Sequence, residues 1–163
     1  MTLMYDSVEP SQIPTIKQRP GIMVAGYVDG PFAWPPQVWG NWPRESEVHI
    51  TVTGNPEFAD VYDVENGAGS LRDLPAFLDG RTRMGKRGTL YTFLANVDAA
   101  ARVLEGRKGV DLWVADWNDN TIPPQVPGVF HLVAKQYQNL PTVDLSIVYD
   151  EYWPWKAPKK NLP

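Results

Sequence analysis

The chain contains no cysteine and only two histidines, His49 and His131, among 163 residues. The first absence removes a disulfide framework, a thiolate metal site and a cysteine nucleophile together. The second leaves too few ligands for a multi-histidine metal centre, so neither metal nor other cofactor is expected. Cations are also scarce: 15 Lys and Arg stand against 19 Asp and Glu, a formal net charge of -4. Nucleic-acid affinity comes mostly from clustered Lys and Arg. The one basic cluster, Lys156, Lys159 and Lys160, sits in a Pro-rich tail, and no nucleic-acid partner is expected. Long apolar runs are missing too. That excludes a spanning helix and a secretory leader, so no membrane partner is expected, and the protein should stay where it is made unless something else exports it.

What is present is an ordinary globular balance, 43% hydrophobic and 21% charged, with two excesses: 16 prolines and 7 tryptophans. One domain over residues 1–152 with a Pro/Lys-rich tail over 153–163 fits this length. Proline cannot donate to a sheet ladder and gathers here around 31–43, 123–127 and 154–163, which marks connections. Short apolar or alternating runs at 2–5, 22–27, 48–53, 60–65, 88–94, 110–115, 129–134 and 143–149 read as strands. Leu71, Leu74, Phe77 and Leu78 predict a helix over 70–84 with Ser70 as N-cap; Val97, Ala100, Ala101 and Leu104 predict another over 96–104. Residues 31–43 carry Phe32, Trp34, Trp39 and Trp42 between prolines and read as an aromatic loop with a helical turn starting at Pro35 or Pro36. Those tryptophans are expected as exposed platforms or a protein interface.

Runs such as IMVAGY and VDLWVA are apolar on both faces, as in a parallel sheet that is covered or closed. The expected fold is therefore α/β: a small incomplete (β/α)8 TIM-like barrel with several helices missing. In such a barrel the C-terminal strand ends converge on one rim, where catalytic groups are found. Asp6, Asp29, Asp63, Glu65, Asp116 and Gln136 all fall at or just beyond such ends. Each alone is equally a cap or a solvated turn residue; Asp6 and Asp29, however, precede Pro-rich loops with no helix to cap. Asp63 and Glu65 share a face if their strand persists, and two like charges there should raise at least one pKa. A protonated acid beside an ionised carboxylate is what glycosidic-bond chemistry needs.

Asp6-Ser7, Asp63-Val64-Glu65, Leu90-Tyr91-Thr92, Leu112-Trp113-Val114-Ala115, Gln136-Tyr137 and Val143-Asp144-Leu145-Ser146, in that order, resemble glycoside hydrolase family 25. The likeness is strongest to short glycoside-hydrolase-like domains of actinobacterial phages. It implies an N-acetylmuramidase acting on peptidoglycan, with Glu65 as general acid/base and Asp63, Asp6 and Asp144 as assisting carboxylates. Tyr27, Tyr91, Trp113 and Tyr137 would wall the sugar site, although Trp113 reads more simply as core packing, and Asp29, Asp116 and Gln136 would stand on the rim. Val8-Glu9 and Lys135 depart from the family pattern, where a glutamine and a tryptophan are usual. The implied setting is the host cytoplasm or a virion tail. A glycan-binding module without activity, or a virion component docking partner proteins through the aromatic loop, are the alternatives.

Overall fold

The computed structural model describes residues 1–15 and 17–155, so the tail lysines lie outside the described residues. Eight strands form at the expected runs: β1 (Thr2–Asp6), β2 (Met23–Tyr27), β3 (Glu47–Thr51), β4 (Val61–Asp63), β5 (Thr89–Phe93), β6 (Val110–Ala115), β7 (Phe130–Asn139) and β8 (Asp144–Val148). They close into one barrel in sequence order. Strands β1 to β7 run parallel, each paired with the next. The last strand departs from the expected parallel barrel: β8 is antiparallel to both β7 and β1. Only residues 140–143 separate β7 from β8, and a parallel crossover needs a dozen residues or more. The chain has no choice but to turn back.

Helices are few. Among the described residues only α1 (Leu74–Arg83) and α2 (Val97–Val103) are α-helical, following β4 and β5. The first begins later than expected, with Asp73 rather than Ser70 at its N-cap and proline in its first turn. Proline fixes φ near the helical value and lacks the N–H that a helix start leaves unpaired, which explains the shift. Leu74, Phe77, Leu78, Val97, Ala100 and Leu104 of these helices cover Tyr62, Leu90, Leu112 and Val114 on the outer face of β4 to β6. Among the described residues no helix is long and apolar enough to cross a membrane.

The other flank is covered by the aromatic loop. Trp34 and Trp42 are buried with Ile13 and Ile22 against Tyr5 and Val24. Their indoles donate to the carbonyls of Ser7 and Pro14, each at 3.0 Å. The expectation of exposed platforms fails for these two, because β1 and β2 have no helix and need another apolar cover. The loop is mostly 3-10 turn, over Pro36–Asn41 and Arg44–Ser46.

Inside the barrel, Met4, Ala25, Val48, Ile50, Val61, Trp113 and Val148 form the core with Trp153. Trp153, assigned on sequence grounds to the tail, is 1% exposed and donates to Thr89 Oγ1 at 2.7 Å. Thr89 opens β5, so this indole fills the end of the barrel opposite the rim. The packed core therefore reaches at least one residue past the expected boundary at 152.

Candidate active site

Parallel pairing puts the C-terminal ends of β1 to β7 on one rim. Reversal of β8 brings its first residue, Asp144, to the same place, where it is the direct cross-strand partner of Asp6. Like charges so placed repel, and nothing about packing asks for them. Asp63 ends β4 beside Tyr91 of β5. The strand stops there, so Glu65 does not reach the mouth through strand alternation as expected. Instead Val64 N–H donates to the Tyr91 carbonyl (2.9 Å), and Thr92 Oγ1 donates to the Val64 carbonyl (2.6 Å). A turn follows in which Gly67 has φ 87° and Gly69 N–H returns to the Asp63 carbonyl at 2.9 Å. A Cβ on Gly69 would sit 2.3 Å from the Tyr62 ring, so only glycine lets this turn close under Glu65.

Tyr27 Oη donates to Asp63 Oδ2 at 3.0 Å, and Gln136 Nε2 donates to Asp6 Oδ1 at 2.9 Å. Gln136 Oε1 in turn accepts from Tyr91 Oη (3.0 Å) and from Trp117 Nε1 (2.5 Å). Asp6, Asp63, Glu65 and Asp144 each keep one buried oxygen without a protein partner, namely Oδ2, Oδ1, Oε1 and Oδ1. Burial pushes Asp6 well above the usual carboxylate range, reinforced by the charges of Asp144, Glu65 and Asp63 and only partly offset by Gln136. Burial also raises Asp63 to about 6 against the Tyr27 hydrogen bond, and Asp144 to about 6. Glu65 rises to about 7 through burial and then through the charge of Asp63, against the Tyr91 hydrogen bond and with a smaller push from Asp144. Between about 6 and about 7, Asp63 is thus the ionised member of the pair and Glu65 the protonated one.

Four of the other expected site residues take no part in this network, three beside it and one beneath it. Burial pushes the Asp29 carboxyl up, but Thr51 Oγ1 (2.5 Å), Thr53 Oγ1 (2.6 Å) and Val52 N–H (2.9 Å) hold it below the usual range, tying the loop after β2 to β3. Asp116 pairs with buried Lys135 at 3.0 Å. Lys135 also donates to Asn118 Oδ1 and Asn120 Oδ1, so the pair anchors the long β6–β7 connection. Trp113 has no exposed surface; its indole donates to Ser146 Oγ at 3.0 Å and its ring packs 4.6 Å from Tyr91, which makes it floor rather than wall. Tyr137 flanks the bulge after Gln136, and its carbonyl accepts from Asp119 N–H at 3.1 Å.

Three aromatic residues that the sequence left unassigned stand at the mouth. Trp117 is 47% exposed and meets Phe93 edge-on at 5.2 Å. Phe32, half exposed, faces Tyr27 at 6.0 Å. The signal for Trp117 was its place one residue beyond a strand-end acid. A cleft of about 270 Å³ runs out from Asp6 and Asp144 between Ser7, Glu9, Gln12 and Thr142. Ser7 Oγ, donating to the Thr142 carbonyl at 2.8 Å, joins its two banks. A hollow of about 320 Å³ at the other end of the barrel is larger, but its arginines are already paired, Arg87 with Asp111 and Asp150, Arg107 with Asp79. Among the described residues no group of three or more His, Asp or Glu is arranged to hold a metal ion. Comparison with protein-family models, with curated proteins and with solved structures returns no match.

Proposed function

We propose that this protein is a glycoside hydrolase of the lysozyme type, cutting peptidoglycan glycan by carboxylate acid/base catalysis on a reduced (β/α)8 barrel. One observation carries the reading: four acids from β1, β4, the turn after β4 and β8 meet at one mouth, each with an oxygen unspent on the protein. Burying uncompensated carboxylates costs stability, and a fold keeps them where chemistry uses them. Peptidoglycan as the substrate rests on the family resemblance; the aromatic rim of Tyr27, Phe32, Phe93 and Trp117 supports a sugar of some kind, since C–H faces of sugar rings stack on such planes.

Glu65 holds its proton near neutrality and donates it to the leaving glycosidic oxygen. Asp63, ionised and steadied by Tyr27, offsets positive charge developing at the sugar or orients the group that attacks it. Asp6 and Asp144, side by side, hold polar substituents of the ring.

The test is release of reducing ends from purified peptidoglycan by wild type and Glu65→Gln. General acid catalysis contributes about 10²- to 10⁴-fold, so the variant should lose at least about 100-fold while keeping the wild-type circular dichroism. Undiminished turnover by Glu65→Gln would remove Glu65 from the mechanism. Wall retention without any release by wild type would instead establish a binding module.

A further inference from the structure

The acids of the mouth have a counterpart of opposite sign at the other end of the barrel. Gly85-Lys86-Arg87-Gly88 follows α1 and Gly106-Arg107-Lys108-Gly109 follows α2, so each helix returns to the sheet through two basic residues set between glycines. Gly85, Gly106 and Gly109 take φ of 67°, 84° and 66°, a conformation that residues with a Cβ resist. Because β5 and β6 are paired from Thr89 and Asp111 onward, the two loops come to lie side by side. Two basic pairs far apart in the chain thus become one patch, where the sequence showed basic clustering only in the tail. Together with Thr82, Leu78 and Val110 they line the hollow of about 320 Å³. Four of the chain's 15 Lys and Arg are gathered there, in a protein of net charge -4.

Two ordinary uses for such cations account for the arginines and not for the lysines. Arg87 is spent on Asp111 and Asp150, and Arg107 gives Nη1 to Asp79 at 2.8 Å. Those pairs also occupy the carboxylates of this end, Asp111 with both oxygens, at 2.6 and 2.8 Å. Among the described residues neither Lys86 nor Lys108 has an ion pair. A helix C-terminus attracts cations, but the attraction fades within the last turn, and α1 ends at Arg83 and α2 at Val103. Both lysines stand beyond it.

We propose that this hollow binds a phosphate group, free or carried as an ester, between the ammonium groups of Lys86 and Lys108 and the Nε–Nη2 side of the Arg107 guanidinium. That side of Arg107 meets no acceptor among the described residues, and it offers two parallel N–H groups to an oxyanion. Lysine adds a compact point charge with no fixed direction. A flat carboxylate would engage the arginine fork and leave the lysines unused; a tetrahedral anion has oxygens for all three. At about 30 Å³ per water, the hollow has room for about ten, enough for a phosphate and the group that carries it. This end of the barrel takes no part in the glycosidase chemistry proposed above, so its ligand does not depend on that reading.

The test is a ¹H–¹⁵N NMR titration of the full chain at low salt with inorganic phosphate, glycerol 3-phosphate and acetate. Saturating shifts confined to residues 82–88 and 106–111 are expected with the two phosphates and none with acetate at the same concentration. Lys86→Gln and Lys108→Gln should each weaken phosphate binding by about 3- to 10-fold, and the double variant by about 10-fold or more. Both lysines are exposed, so the variants should keep the wild-type circular dichroism. Lys17→Gln, in the loop before β2, removes the same charge elsewhere and should leave the affinity as it is, as should Glu65→Gln. Tighter binding of glycerol 3-phosphate assigns the hollow to a phosphoester, and tighter binding of inorganic phosphate to the free ion. Shifts that do not saturate, equal binding of acetate, an equal loss in Lys17→Gln or undiminished binding by the double variant would overturn the proposal.

Discussion

At the level of single residues, the mouth carries its own cost. A carboxyl whose folded pKa is raised stabilises the fold fully below its unfolded value, near 4, and loses that contribution as pH climbs through the folded value. Asp63, Asp144 and Glu65, raised to about 6, 6 and 7, should therefore make unfolding easier as pH goes from about 4 to about 7.5. Asp29 and Asp150, both held low, act in the other direction, and only at acid pH. Chemical denaturation at pH 5 and pH 7.5 should show the higher stability at pH 5, and Glu65→Gln should narrow that gap, raising stability at pH 7.5 by about 1 kcal/mol. A variant less stable than wild type at pH 7.5 would mean that Glu65 is satisfied in a way the hydrogen bonds do not reveal. The same values predict a bell-shaped rate profile between about 6 and about 7. These residues were legible from the sequence to an uneven degree. Strand-end position put Asp6, Asp63 and Gln136 on the rim correctly, and Asp29 and Asp116 at the wrong partners, because a position past the strand end says nothing about which face the side chain takes. Thr51 and Lys135, outward-facing and polar, captured both.

Elements were easier to read than the spaces between them. All eight apolar runs became strands, since a run of four to seven residues rich in branched and aromatic side chains has few other ways to bury itself. The direction of β8 is legible too: the apolar runs at 129–134 and 143–149 leave eight residues between them, fewer than a parallel crossover needs. β7 was read too short because Lys135 and Gln136 look like a polar end; one is buried by the loop asparagines and the other by the acid network. The aromatic loop shows best how composition misleads. Trp34 stacks on β2 so closely that a Cβ on Gly26 would lie 2.4 Å from its ring. Gly26→Ala should therefore push the loop off the barrel, costing about 1–3 kcal/mol, with a red shift of tryptophan fluorescence as indoles meet water. Unaltered fluorescence and stability would show that the loop adjusts without loss.

For the whole molecule, two ends of one barrel divide the labour. The rim collects unsatisfied acids, while the far end is packed by Trp153 and tied by Arg87 to Asp111 at 2.6 Å and to Asp150 at 2.7 Å. Trp153→Ala should cost about 3–5 kcal/mol and lower the midpoint of thermal unfolding by about 10 °C or more, as read by calorimetry. A drop under about 1 kcal/mol would mean that the plug is dispensable. Closure itself runs through β8, which lies between the first parallel strand and the last. Because Asp6 and Asp144 are paired across that seam, translation must pass residue 144 before the two can meet, and β8 must leave the ribosome before the seam can close. A nascent chain still threaded through the exit tunnel is a sheet with two open margins, and it carries Glu65 without the company that tunes it.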